Sequence, residues 1–132
     1  MNRWADWWRQ AQMEERAATN LKSTGDFAWC CFTSQQAAEK ALKAVLERRN
    51  LEHEGHSLNR LLREVLGDED APSGLAQACS RLNRLYIPTR YPDALLEGAP
   101  ADEYHEEDAQ QSLDDLRIIM AYVAGTLGPS PA

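Results

Sequence analysis

Three short stretches of this 132-residue chain hold residue types that do chemistry at spacings that let them act together. The first is Tyr86-Ile87-Pro88-Thr89-Arg90-Tyr91-Pro92-Asp93. Its two prolines fix φ and stiffen the backbone, which sets Arg90, Tyr91 and Asp93 in one frame. The arginine fork suits a phosphate or a carboxylate, and Tyr86 and Tyr91 offer faces on which a base stacks. The same residues equally suit a structural part, with Arg90 paired to an acid and the tyrosines packed. The second stretch is Glu39-Lys40-Ala41-Leu42-Lys43, preceded by Gln35 and Gln36. Lys43 either meets a phosphate or pairs with Glu39 one helical turn back. The third is His56 in Glu54-Gly55-His56-Ser57-Leu58. A histidine there is a general base, a phosphate contact or a donor that fixes the turn.

Brought together, these residues form an anion-receptive site. Lys43 and Arg90 hold phosphate, Tyr91 stacks, and Asp93 orients Arg90 or His56. A rival pairing for catalysis is Arg49 with His56. No Gly-rich phosphate loop, G-x-S-x-G or H-E-x-x-H occurs. His53 and His56 lie close among Glu52 and Glu54, but no third His or Cys stands at matching spacing, so no metal or other cofactor is expected. Cys30, Cys31 and Cys79 form no C-x-x-C pair and read as small buried hydrophobes.

The elements that must position these residues are helical almost throughout. Trp4, Trp7, Ala11, Ala18 and Leu21 predict a helix over about 3–23, with Glu14 interrupting the stripe. Gly25 stops it, and Asp26 is placed to cap the next helix. That second helix carries one stripe at Phe27, Cys31, Ser34, Ala38, Leu42 and Val45. A neighbouring stripe runs through Ala28, Phe32, Gln35, Glu39 and Lys43, and the helix ends near Arg49. Ser57 caps a third helix bearing Leu58, Leu61, Leu62, Val65 and Leu66. A fourth spans about 73–86. Three prolines and a glycine then forbid a continuous helix between Ile87 and Asp102. The last helix begins between Asp102 and Asp108, its first turns acidic as the helix dipole prefers. Residues 125–132 are expected as a frayed tail. The outcome is an all-α, up-and-down bundle of four to five helices in one domain over 1–132.

Composition narrows the function classes. Apolar residues are 43% and charged residues 27%, which suits a folded globular domain rather than disorder. No apolar run reaches membrane-spanning length, and the first twenty residues lack the apolar core of a signal peptide. The expectation is therefore a cytoplasmic protein with no membrane contact. The net charge of −7 disfavours passive binding to a phosphate backbone. The charge is uneven, however: residues 1–50 carry eight Lys/Arg against six Asp/Glu, and residues 101–132 carry one against seven. A basic patch on the first half still suits a nucleotide or a short RNA segment. Trp4, Trp7 and Trp8 crowd one helix and offer a dimer face, or else two of them cover the core and the third lies on the surface.

Taken in order, FTSQQAAEKALKAVL, GHSLNRLL, YIPTRYPD and a last amphipathic helix opening with Asp108-Ala109 resemble the HEPN domain family, in its TRYPD-type branch. The resemblance runs from about Arg3 to Val123. It implies a four- to five-helix bundle, commonly a homodimer, associated with nucleotide binding and RNA cleavage. Many such proteins stand beside a minimal nucleotidyltransferase as a toxin–antitoxin pair. Nuclease members of the family are similar in an Arg, four to six residues, then His near the start of the last helix, acting without metal. Here that string occurs as Arg48-x4-His53 and Arg49-x6-His56, at the end of the second helix instead. Arg90 is followed by no histidine before His105.

Overall fold

Alanine dominates the middle of the second helix, and that decides the architecture. In the computed structural model, which describes residues 2–87, 89–95 and 97–129, α1 spans Trp4–Ser23 and α2 spans Phe27–Arg48. Ala37, Ala38, Ala41 and Ala44 are fully buried and let neighbours approach α2 from several sides. Fourteen of its 22 residues are buried, the pattern of a central rather than a surface helix. Around it pack α1, α3 (Leu58–Leu66), α4 (Leu75–Asn83) and α6 (Glu106–Leu127), with a one-turn α5 at Pro100–Glu103. No strand occurs among the described residues. The all-α bundle read from the sequence is thus the observed one.

Leu42, Leu46, Leu58, Leu61, Leu75, Leu82, Leu116 and Ile119 are at most 1% exposed and share one core. Each contributes ~1.5–3 kcal/mol through removal from water. On α1 the deepest tryptophan is Trp8, while Trp4 and Trp7 lie half-buried against the same core. All three tryptophans therefore pack within the chain, and the large exposed one is Trp29 on α2. Glu14 breaks the apolar stripe of α1 because its carboxylate accepts from Lys40 Nζ of α2 at 3.0 Å. The cysteines are free and buried. Burial pushes the Cys31 and Cys79 thiols up to about 12, so they behave as hydrophobes rather than nucleophiles.

The helix ends follow local rules, with three departures from expectation. Ser57 caps α3 as its spacing predicts, accepting from the Arg60 amide at 3.3 Å. Asp26 stands at the α2 N-cap position, but its carboxylate takes the Thr24 hydroxyl and makes no cap bond. α4 is shorter than 73–86. Gly74 sits at φ 85° before it, and after Asn83 the chain turns rather than continuing. α6 begins at Glu106, with the Asp108 carboxylate accepting from the His105 amide at 2.8 Å. The tail expected from residue 125 starts later, because α6 runs on to a buried Leu127; residues 130–132 lie outside the described residues. Arg81 on α4 grips buried Asp115 on α6 through Nε at 3.0 Å and Nη2 at 2.8 Å. This two-pronged contact fixes where the chain leaves α4 and enters the Arg90 segment.

Candidate functional site

The site grows from one stripe of α2. Phe32, Gln35, Glu39 and Lys43 recur at helical spacing and so share a face. Gln35, Glu39 and Lys43 are all buried. Polar groups so placed need partners, and the α2–α3 loop supplies them. Gln35 Nε2 donates to the His56 carbonyl at 3.4 Å. Glu39 Oε1 lies 2.8 Å from His56 Nδ1, and its Oε2 accepts from Lys43 Nζ at 3.2 Å. The carboxylate thus joins a buried ammonium behind it to an imidazole in front. The His56 side chain is 55% exposed, against 6% for Glu39.

The turns after α4 close the other side. The Leu58 amide donates to Asn83 Oδ1 at 2.8 Å, which ties the start of α3 to the end of α4. Tyr86 is thereby stacked on the His56 ring, 4.6 Å between centres at 19°. Arg90 folds back over the bundle. Its Nε donates to the Tyr86 carbonyl at 3.0 Å. Its guanidinium carbon lies 4.4 Å from the Phe32 ring centre, 4.5 Å from Tyr86 and 4.8 Å from Tyr91. Three aromatic faces hold the cation, each a favourable quadrupole contact. Among the described residues no carboxylate pairs with it and neither Nη has a partner. Tyr86, which carries the Arg90 guanidinium over its ring, also lines a hollow of about 290 Å³ together with His56, Ser57, Asn83, Arg84 and Ile87; Arg90 itself is not in that lining. An arginine with its Nη groups unengaged and a second cation at Arg84 can receive an anionic oxygen.

The structure gathers Lys43, His56, Arg90 and Tyr91 into one contact chain. Their depths differ from a simple surface patch. Lys43 lies behind Glu39, its ammonium committed to that carboxylate. Tyr91 is half-exposed and supports Arg90. Asp93 is exposed and has no hydrogen bond to Arg90 or His56 among the described residues. Arg49 is turned away from this group: its Nη1 donates to the Val65 carbonyl at 2.7 Å. Arg48 lies over the Trp4 ring, and His53 is bound to Glu47. Neither Arg-x-His string brings its two side chains into contact among the described residues. Sequence reasoning missed Glu39 as the partner of His56 and Phe32 as a wall for Arg90. The shared stripe was the available signal for both.

An α2-centred up-and-down bundle with its polar site between α2 and the turns after α4 defines the structural class. Within it, the HEPN domain model matches residues 4–126, and the chain belongs to the HEPN domain family. Solved structures agree. TT1696 from Thermus thermophilus is 42% identical with a TM-score of 0.91, covering 96% of this chain and 99% of that one. ST0689, described as an archaeal HEPN homologue, is 37% identical with a TM-score of 0.82, covering 97% and 100%. The HEPN domain protein TM0613 from Thermotoga maritima is 28% identical with a TM-score of 0.75, covering 92% and 97%. A further relative, from Methanocaldococcus jannaschii, is named "Putative toxin MJ1304". It is 26% identical over 124 residues, 87% of this chain and 82% of its own length. Among the described residues no helix is long and apolar enough to cross a membrane.

Proposed function

We propose that this HEPN domain protein binds the phosphate of a nucleotide or of RNA in the hollow beside Arg90, as one member of a toxin–antitoxin-like pair. The observation that carries this reading is the Arg90 guanidinium, gripped on aromatic faces and through Nε, with no acid to neutralise it among the described residues. A cation so oriented has already given up its side-chain freedom, which lowers the cost of binding. His56 and Arg84 add polar contacts at the rim of the same hollow, and Tyr91 offers a face to a base. The family and the name of the Methanocaldococcus relative support the toxin–antitoxin setting. In this reading the protein works in the cytoplasm as a homodimer beside a minimal nucleotidyltransferase. Sedimentation at several concentrations tests the first association, and co-purification with the neighbouring reading frame's product tests the second.

Isothermal titration with ADP, ATP and a short single-stranded RNA tests the site. Arg90→Ala removes charge-assisted hydrogen bonds worth ~1.5–3 kcal/mol, so the expected loss in affinity is at least about tenfold. Unchanged binding by that variant removes the hollow from consideration. One observation favours a second reading, metal-independent RNA cleavage: the His56 imidazole faces outward with a carboxylate at its back. Cleavage in the presence of a chelator that is lost in His56→Ala supports it, and cleavage retained by that variant rejects it.

A further inference from the structure

The chain from Lys43 through Glu39 to His56 does more than hold a loop in place. We propose that Glu39, braced by Lys43, is the positioning residue of the hollow. It accepts a hydrogen bond from His56 Nδ1–H and leaves Nε2 as an open acceptor. An ionised carboxylate only accepts hydrogen bonds, so the ring nitrogen 2.8 Å from Glu39 Oε1 must carry the hydrogen. Lys43 is a donor only and occupies the other oxygen at 3.2 Å. The carboxylate therefore has one oxygen for each neighbour. Its burial prevents water from substituting for either. Ring rotation of His56 is opposed by the Tyr86 stack on its face, and the Gln35 bond holds its backbone in place.

This assignment goes against the intrinsic preference of neutral imidazole, which places the proton on Nε2. It also sets the chemistry of the ligand, on the reading that the hollow takes a phosphate compound. Arg84 in the lining asks for an anionic oxygen, and a bare Nε2 of His56 asks for a hydrogen-bond donor. The hollow thus fits a phosphate ester that carries a hydroxyl near its anionic group better than a fully ionised anion alone.

Long-range nitrogen–proton NMR of the histidine rings, at about pH 8 and so above the ordinary histidine range of about 6.5, tests the positioning role without any ligand. In the wild-type chain His56 is expected with a protonated Nδ1 and a bare Nε2. His53 serves as an internal control of opposite sign, because its Nε2 faces Glu47 at 2.7 Å. In Glu39→Gln, Lys43 claims the amide oxygen and the amide nitrogen then faces His56 Nδ1. The tautomer is expected to invert to Nε2–H while His53 stays unchanged. A wild-type His56 protonated on Nε2, or a folded Glu39→Gln chain with an unaltered His56 pattern, overturns the assignment. The wild-type measurement decides even where the variant does not fold. Failure of ATP and RNA to bind would strike the phosphate reading and leave the tautomer result standing.

Discussion

Two histidines in the α2–α3 loop each meet a glutamate of α2 at nearly the same distance, yet the two pairs are built inside out. His53 Nε2 lies 2.7 Å from Glu47, and His56 Nδ1 lies 2.8 Å from Glu39. Each imidazole also meets an aromatic ring, Trp7 edge-on at 5.0 Å and Tyr86 face-on at 4.6 Å. In the first pair the histidine side chain is the less exposed member, at 17% against 25% for the acid. In the second the acid is sunk to 6% and the histidine stands out at 55%. A pair that hides its imidazole fastens a loop. One that hides its carboxylate leaves its imidazole open to solvent. The difference is made by Lys43, whose buried ammonium offsets the charge of Glu39.

The sharpest way to break the comparison is to delete each acid. Glu39→Ala strands a buried ammonium, and the expected cost is ~3–5 kcal/mol. Glu47→Ala removes a partly solvated pair and costs ~0–1 kcal/mol. Urea denaturation at neutral pH measures both, and equal losses would erase the distinction. Acid titration of the fastening pair gives a smaller effect. The hydrogen bond from His53, then the Arg3 amide, holds the Glu47 carboxyl below its ordinary 4.5. The folded chain therefore takes up this proton less readily than the unfolded chain. The stabilisation is complete above about 4.5 and drains away as pH falls through the lower, folded-state value. The stability gap between wild type and Glu47→Gln is expected to shrink steadily over that descent in urea titrations. The smallest effect belongs to Trp29, which stands 54% exposed near the Arg90 cluster and touches Phe32 edge-on. Trp29→Ala is expected to shift stability by no more than ~0.5 kcal/mol by the same denaturation.

Much of the fold was legible because helices write their faces at short range. The Ala28–Phe32–Gln35–Glu39–Lys43 stripe, the Ser57 cap and the apolar face of α3 all follow from spacings of three and four residues. The depth of that stripe was not legible. Its charged residues read as a phosphate contact or a pair along the helix, and spacing alone does not show that they are interior beneath the His56 loop. The partner of Glu39 was hidden for a related reason. Lys43 is the neighbour that local spacing supplies, whereas His56 arrives from across a loop, 17 residues on. Arg90 was legible as an exposed fork on a stiff segment. Its aromatic surroundings were not, because Phe32 comes from α2, with α3 and α4 in between.

One modest contact has a mechanical meaning. Asn83 reaches from the end of α4 to the first amide of α3, so a single amide side chain spans both banks of the hollow. The start of α3, which follows the His56 turn, and the end of α4 are latched to each other by this bond. Neither can swing aside without pulling on the other, and the width of the opening is set before a ligand arrives.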